Sequence, residues 1–262
     1  MSRAATASRT ARTEASTLTG RITWLGHATV LIELGPLRVL TDPLLRNRVA
    51  HLRRHAPPVE PPGRLDAILL SHLHRDHADG PSLRRLPPDA RVLVPAGAGR
   101  AVERLGVQHV IEVSVGETVP VGAGAVTPVP AEHDGRRSPL HAPAPALGFV
   151  LEHGVRVYFA GDTDIFDGMA ELGPIDVALL PIWGWGPSAG PGHLDPESAA
   201  RALTLLRPRT VIPIHWATYL PLGYPGDHPL LTGPGPAFAA RAAALAPEVH
   251  VELVRPGASV DL

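Results

Sequence analysis

The sequence predicts a mixed α/β chain in which β-sheets pack on each other and helices lie outside them. Two patterns lead there. Short apolar runs punctuated by Gly and Pro crowd the first half, and strand-like runs alternate with helical ones in the second. The composition agrees: 44% of the 262 residues are hydrophobic and 19% are charged, enough for a sizeable core and too little charge for a disordered chain.

Taken in order, residues 1–17 carry Arg, Ala, Ser and Thr without an apolar stretch. They read as a disordered tail rather than a secretory signal or transit peptide, ahead of one domain over residues 18–262. Residues 21–25, 29–34 and 37–41 read as strands separated by Gly26-His27 and Gly35-Pro36. A loop rich in Arg, His and Pro follows over 42–63, then a short buried strand over 66–70. Residues 91–94 form a strand and 99–105 a helix. Strands at 109–113, around 119 and at 126–129 come next, and 147–151 with 155–160 form a hairpin turned at His153-Gly154. Residues 176–180 read as a buried strand. Asp195-Pro196 opens a helix to about Leu206, with Asp at the cap and Pro at the first helical position. A strand over 210–214 ends at His215. A Pro/Gly-rich stretch over 220–236 is expected to form the rim of a substrate pocket. An Ala-rich helix and a strand over 249–254 close the chain.

Composition also excludes functions. The absence of cysteine removes disulfides, thiolate nucleophiles, iron–sulfur clusters and Cys-bound zinc, so any metal must be held by His and carboxylates. The net charge is −1, and all 24 basic residues are Arg, which reads as a coding bias. No nucleic-acid partner is expected, although a local basic patch is compatible with this balance. No apolar run approaches the length of a membrane span, and the expected location is the cytoplasm.

The strongest signal is His72-x-His74-x-Asp76-His77, just past a strand end. Residues two apart in an extended segment point the same way, so His72 and His74 can bind one ion, and after a turn Asp76 and His77 can face a second. Imidazole with carboxylate suits zinc, manganese or iron. Four ligands cannot fill two shells. Three further candidates lie at other strand ends: His133, Asp162 and His215. Open sheets collect their sites at such ends.

These residues, with Gly161-Asp162-Thr163, resemble the metallo-β-lactamase superfamily. Trp24-Leu25-Gly26-His27-Ala28-Thr29, Thr41-Asp42-Pro43 and Gly192-His193-Leu194-Asp195-Pro196-Glu197 are similar to the branch holding N-acyl-phosphatidylethanolamine phospholipase D and L-ascorbate-6-phosphate lactonase. The resemblance implies a four-layer αββα sandwich and two divalent ions, zinc first, with manganese or iron as alternatives. One ion would take His72, His74 and His133, the other Asp76, His77 and His215, and Asp162 would bridge them. It implies hydrolysis of a small-molecule phosphodiester or a lactone or other ester, with Asp76 orienting the water and His193 meeting the substrate or leaving group. His27 and Asp42 are expected to support the ligands from behind. The last ligand lies in Pro213-Ile214-His215-Trp216, ahead of a long Pro/Gly loop, which departs from the branch pattern.

Other readings compete. Gly186-Pro187-Ser188-Ala189-Gly190 fits a nucleophile elbow, but prolines break the helix it needs. Gly97-x-Gly99 lacks the third glycine of a dinucleotide site. A non-enzymatic metal-binding regulatory module would be expected to lose a ligand. A nucleic-acid-processing hydrolase would lean on Arg53-Arg54, Arg84-Arg85 and Arg136-Arg137. The remaining histidines (His51, His55, His109, His141, His153, His228 and His250) read as surface or loop residues.

Overall fold

The computed structural model describes residues 20–135 and 144–262, so the expected tail, Arg136-Arg137 and His141 lie outside the described residues. In chain order the elements are β1 (Gly20–Gly26), β2 (Thr29–Leu34), β3 (Leu37–Thr41), β4 (Arg48–Val49), β5 (Leu52–Arg54), β6 (Ala67–Leu69), α1 (Gly80–Leu83), β7 (Arg91–Pro95), α2 (Gly99–Glu103), β8 (Val110–Val113), β9 (Val119–Val121), β10 (Gly124–Pro130), β11 (Leu147–Glu152) and β12 (Arg156–Phe159). After a 3₁₀ turn at Asp167–Glu171 come β13 (Val177–Pro181), α3 (Pro196–Leu206), β14 (Thr210–Ile214), β15 (Tyr219–Pro221), α4 (Pro229–Thr232), α5 (Pro234–Leu245), β16 (His250–Val251) and β17 (Ser259–Asp261).

The strands make two seven-stranded sheets, ordered β17-β1-β2-β3-β6-β7-β8 and β16-β14-β13-β12-β11-β10-β9, and a small sheet β15-β5-β4. Side chains alternate along each strand and so serve two layers. Val30, Ile32, Leu34, Ala67 and Leu69 join Phe149, Leu151, Val157 and Phe159 of the second sheet in one core. Leu31, Leu40, Ile68, Val92 and Val94 turn the other way, onto Ala98 and Val102 at α2. Ala199 and Leu203 of α3, with Phe238 and Ala242 of α5, extend the main core beyond the second sheet. The result is the αββα sandwich. α5 starts tight against Trp216: a Cβ on Gly235 would come within 2.2 Å of the indole.

Parallel pairing of β3 with β6, and of β12, β13 and β14, points their carboxyl ends one way. Two antiparallel steps bring β1 into line with β3, and two more bring β10 into line with β12. The residues just past these seven strands gather at one edge of the sandwich.

Some elements differ from expectation. Residues 42–63 hold the β4–β5 hairpin, completed by β15, with Leu44, Val49, Leu52 and Tyr219 as its own core. The expected strand over 249–254 is limited to β16. A turn at Gly257, with φ at +95°, then returns the chain as β17 against β1. The stretch 220–236 contains part of β15, α4 and the start of α5.

Candidate metal centre

Every histidine and aspartate singled out in the sequence at a strand end arrives at that one edge. His72, His74, Asp76 and His77 follow β6, where the amides of His77 and Ala78 close a turn on the His74 carbonyl at 3.1 and 2.8 Å. His133 follows β10, Asp162 follows β12 and His215 follows β14. Gly161, with φ at +63°, lets the Asp162 turn approach this motif, because a Cβ there would lie 2.7 Å from Ser71 Cβ and 2.8 Å from the Leu147 carbonyl. His27, Asp42 and His215 themselves adopt left-handed backbone, with φ of +55°, +32° and +65°. Non-glycine residues adopt it at an energetic cost, and such strain concentrates at functional sites. The His27 carbonyl holds this geometry by accepting from the His215 amide and Trp24 Nε1, both at 2.9 Å.

The ligand-type atoms form four overlapping groups among the described residues, of which Asp42-His72-His77 and His133-Asp162-His193 share members with two neighbouring ones. His72, His74 and His133 make one, and His27, Asp76, His77 and His215 the other, with the offered atoms of each group within 4.8 Å of one another. Asp162 lies between them. Its Oδ2 is 3.1 Å from His77 Nε2 and 3.9 Å from His72 Nε2, and its Oδ1 is 3.2 Å from His215 Nε2. His27 Nε2 lies 3.2 Å from Asp76 Oδ2.

The outward nitrogens fix the tautomers. His133 Nδ1 donates to the Gly192 carbonyl at 2.9 Å and His215 Nδ1 to the Trp183 carbonyl at 2.7 Å. His77 Nδ1 donates to Asp42 Oδ2 at 2.8 Å. The Ser71 hydroxyl donates to Asp42, so it must accept from His72 Nδ1, 2.9 Å away. The inward Nε2 atoms of His72, His133 and His215 are thereby left as lone pairs. His74 turns its Nδ1 inward, 3.2 Å from His133 Nε2.

Among the buried polar atoms, His72 Nε2, His27 Nε2 and Asp162 Oδ1 have no hydrogen-bond partner. Such atoms are costly to bury unless something else satisfies them. Burial pushes His72 well below the usual imidazole range, and it lowers His74 and His133. It pushes His215 down to about 3, against a weaker pull from Asp162. Burial also opposes charge on His77, yet Asp162 and Asp42 hold that ring well above its ordinary value. Asp162 and Asp76 stay well below the carboxylate range against burial, Asp162 through His215 and His77, Asp76 through His27 and His77. Neutral imidazoles at His72, His74, His133 and His215 facing ionised carboxylates are the donor set a divalent transition metal takes, and His77 would join them by giving up its proton to the ion, so these residues fit the implied ions.

A cavity of about 370 Å³ opens above the centre. His74, Asp76, Asp162 and His215 form its floor, and Gly184, Trp185, Gly186, Ser188, Ala189 and His193 a wall. His193 Nε2 lies 3.5 Å from Asp162 Oδ2, and its ring centroid is 4.6 Å from that of His133. Asp162 raises the His193 pKa against the effect of burial. The expected rim over 220–236 is corrected here. β15 draws that chain onto β5, and its later part lines a different cavity with His55, Trp216 and Arg255. The wall comes instead from the segment after β13, whose Trp183-Gly184-Trp185 was an available aromatic signal. Trp185 Nε1 donates to Asp76 Oδ2 at 3.3 Å, and His51 packs edge-on against this indole at 5.0 Å.

The competing motifs fall away. Ser188 sits in irregular chain, without the strand before it and helix after it that an elbow needs. The amides of Gly97 and Gly99 are taken by the Glu112 carboxylate at 2.9 and 2.8 Å. Arg54 is buried on the Leu25 and Pro57 carbonyls. Asp195 caps α3 in a reciprocal pair with Ser198.

Comparison with known proteins agrees with this architecture. Residues 37–216 match the family described as the β-lactamase superfamily domain. The chain is 32% identical over 229 residues to an uncharacterized protein of Mycobacterium tuberculosis, covering 80% of this chain and 62% of that one. It is 33% identical over 230 residues to the N-acyl-phosphatidylethanolamine-hydrolyzing phospholipase D 1 of Caenorhabditis elegans, covering 77% and 64%. It thus spans less than two thirds of both relatives. A UPF0173 metal-dependent hydrolase of Archaeoglobus fulgidus is 32% identical over 249 residues, covering 92% and 98%. Among solved structures, a metallo hydrolase of Ignicoccus hospitalis shares the fold with a TM-score of 0.69 at 23% identity, covering 93% and 98%. A matching family over most of the chain, relatives above 30% identity and a common sandwich lead to one assignment: the chain belongs to the metallo-β-lactamase-fold hydrolases, in the branch of the β-lactamase superfamily domain.

Proposed function

We propose that the chain is a binuclear metal-dependent hydrolase acting on a small-molecule phosphodiester or on a lactone or related ester. His72, His74 and His133 would hold one divalent ion, Asp76, His77 and His215 the other, and Asp162 both. Zinc is the metal of choice, with manganese or iron as alternatives. The observation that carries this reading is the convergence of inward lone pairs on His72, His133 and His215 around Asp162, with each outward nitrogen anchored. The phosphodiester side draws support from the name of the nematode relative.

Bound divalent ions would supply Lewis acidity and an activated water at the centre. The chain's own residues do the rest. Asp76, kept ionised and hydrogen-bonded by Trp185, with His27 Nε2 3.2 Å away, would orient a water at the centre and take up its proton. His193, on the cleft wall beside Asp162, faces the bound substrate and donates a proton to the departing oxygen. Asp42 and Ser71 keep the His77 and His72 rings from rotating, so the ligands are set before substrate arrives.

The test pairs elemental analysis with kinetics on a panel of phosphodiesters and lactones. Reconstituted protein should contain near two ions per chain. Asp76→Ala should lower kcat/KM by about 10²-fold or more while the circular dichroism spectrum is unchanged. A stoichiometry near zero, or wild-type turnover by the variant, would refute the reading.

A further inference from the structure

Beside the cleft lies a second concavity of about 320 Å³, and its lining is unlike anything the hydrolytic centre requires. Arg46, Arg75, Arg84 and Arg104 face it, with Asp79 as the one carboxylate among the described lining residues. Three parts of the fold contribute: the turn leading into β4, the segment from the His-Asp motif into α1, and the end of α2. Asp79 has nothing left to offer. Its two oxygens take Arg46 Nε and Nη2 at 2.9 and 2.6 Å, and Oδ2 also accepts from the Ser82 amide and hydroxyl at 3.0 and 2.6 Å. Arg84 spends one Nη1 hydrogen on the Leu105 carbonyl at 2.6 Å. The Arg75 and Arg104 side chains are exposed, and their guanidiniums make neither a hydrogen bond nor an ion pair among the described residues. A chain of net charge −1 therefore gathers three guanidiniums without a carboxylate partner in one hollow.

Like charges lining one hollow repel, and an anion seated among them offsets that repulsion. Guanidinium forks pair with two oxygens of a carboxylate or a phosphoryl group alike, but a phosphoryl group has further oxygens to offer to several forks at once. We propose that this concavity is a subsite for a phosphate-type anion of one or two phosphoryl groups. Arg75 stands between His74 and Asp76 in sequence and lines both cavities. A molecule with its scissile bond over the metal centre and a second phosphate further along reaches the subsite across Arg75. A free phosphate or diphosphate reaching the same arginines is the other source of this chemistry. The inference builds on the hydrolytic reading of the neighbouring cleft, but anion binding is measured without turnover.

Metal-loaded protein is titrated calorimetrically with inorganic pyrophosphate, beside Arg104→Glu, Arg104→Ala and Arg75→Ala, each with its metal content checked. Arg104 is exposed on the end of α2, so the fold does not depend on it. The Arg104→Glu variant should bind pyrophosphate about tenfold or more weakly, and Arg104→Ala should fall between it and the wild type. Affinity and stoichiometry unchanged in all three variants would overturn the subsite and leave the metals as the one anion site. Two kinetic arms separate the sources. If the phosphate belongs to the substrate, Arg104→Glu raises KM for a phosphodiester bearing a second, terminal phosphate and leaves bis(4-nitrophenyl) phosphate alone. If a free anion acts, pyrophosphate changes turnover of bis(4-nitrophenyl) phosphate in the wild type and not in Arg104→Glu. Should neither ester be hydrolysed, the phosphodiester side of the hydrolase reading falls and the calorimetry still decides the subsite.

Discussion

Asp42 holds two of the proposed ligands and touches no substrate. It is fully buried and accepts from the Ser71 amide at 2.7 Å, the Ser71 hydroxyl and His77 Nδ1. Asp42→Ala would orphan all three donors, each costing about 1–3 kcal/mol when buried without a partner. The rings of His77 and His72 would lose their orientation, and metal affinity should drop about 10–100-fold. Chemical denaturation of chelated protein reads the first effect, and competition with a metal indicator reads the second. Wild-type metal affinity in the variant would show that the ligand rings are fixed by other means. This carboxylate was legible as a candidate from Thr41-Asp42-Pro43, as were the seven ligand-type residues, because imidazoles and carboxylates at strand ends are visible as letters. The Gly192 and Trp183 carbonyls that orient His133 and His215 were not. Every residue has a carbonyl, so nothing in the alphabet marks the ones that matter.

At the scale of elements, α3 is the helix whose start the sequence specifies best. Asp195 accepts from the Ser198 amide at 2.7 Å, the Ser198 hydroxyl answers the Asp195 amide at 2.9 Å, and Pro196 needs no amide partner. Asp195→Ala should cost about 1 kcal/mol of stability, read by denaturant titration, with metal content unchanged. A loss of bound metal would mean that the cap also sets the His193 segment. The buried strands of the two large sheets were equally plain, since both of their faces are apolar and their runs are bounded by glycine or proline. The small sheet was opaque. β4, β5 and β15 have two or three residues each, too few to show a period, and β15 comes from far along the chain. That one hidden pairing is also why the 220–236 stretch leaves the cleft: its direction is set by a partner strand that local pattern cannot reveal.

For the whole molecule, the metals and the fold should stabilise each other. A ligand that binds the native state alone adds about 2.7 kcal/mol at a hundred times its Kd, so chelation should lower the thermal midpoint and zinc should restore it. The chelated protein should also become acid-labile. His72, His74, His133 and His215 have lowered values in the fold, so below the ordinary imidazole pKa the unfolded chain binds more protons and stability falls. His77 and His193 are raised and act in the opposite sense, but with His55 also lowered they are two against five. The midpoint of chelated protein should therefore fall between pH 7 and pH 5, and a rise over that interval would contradict the buried neutral imidazoles. The layered architecture followed from apolar runs and their order. The closing of the first sheet by its last strand did not, because β17 is three residues long and follows a glycine turn. That closure has a topological consequence. Leu262 donates to the Gly20 carbonyl at 2.9 Å, and Arg21 lies opposite Asp261, so residues 20–262 trace a ring broken at one point. The order in which the ring is read is then incidental to the sandwich. A circular permutant that joins Leu262 to Gly20 through a short Gly/Ser linker and opens at the exposed Val115-Gly116 turn should refold with its metal content intact.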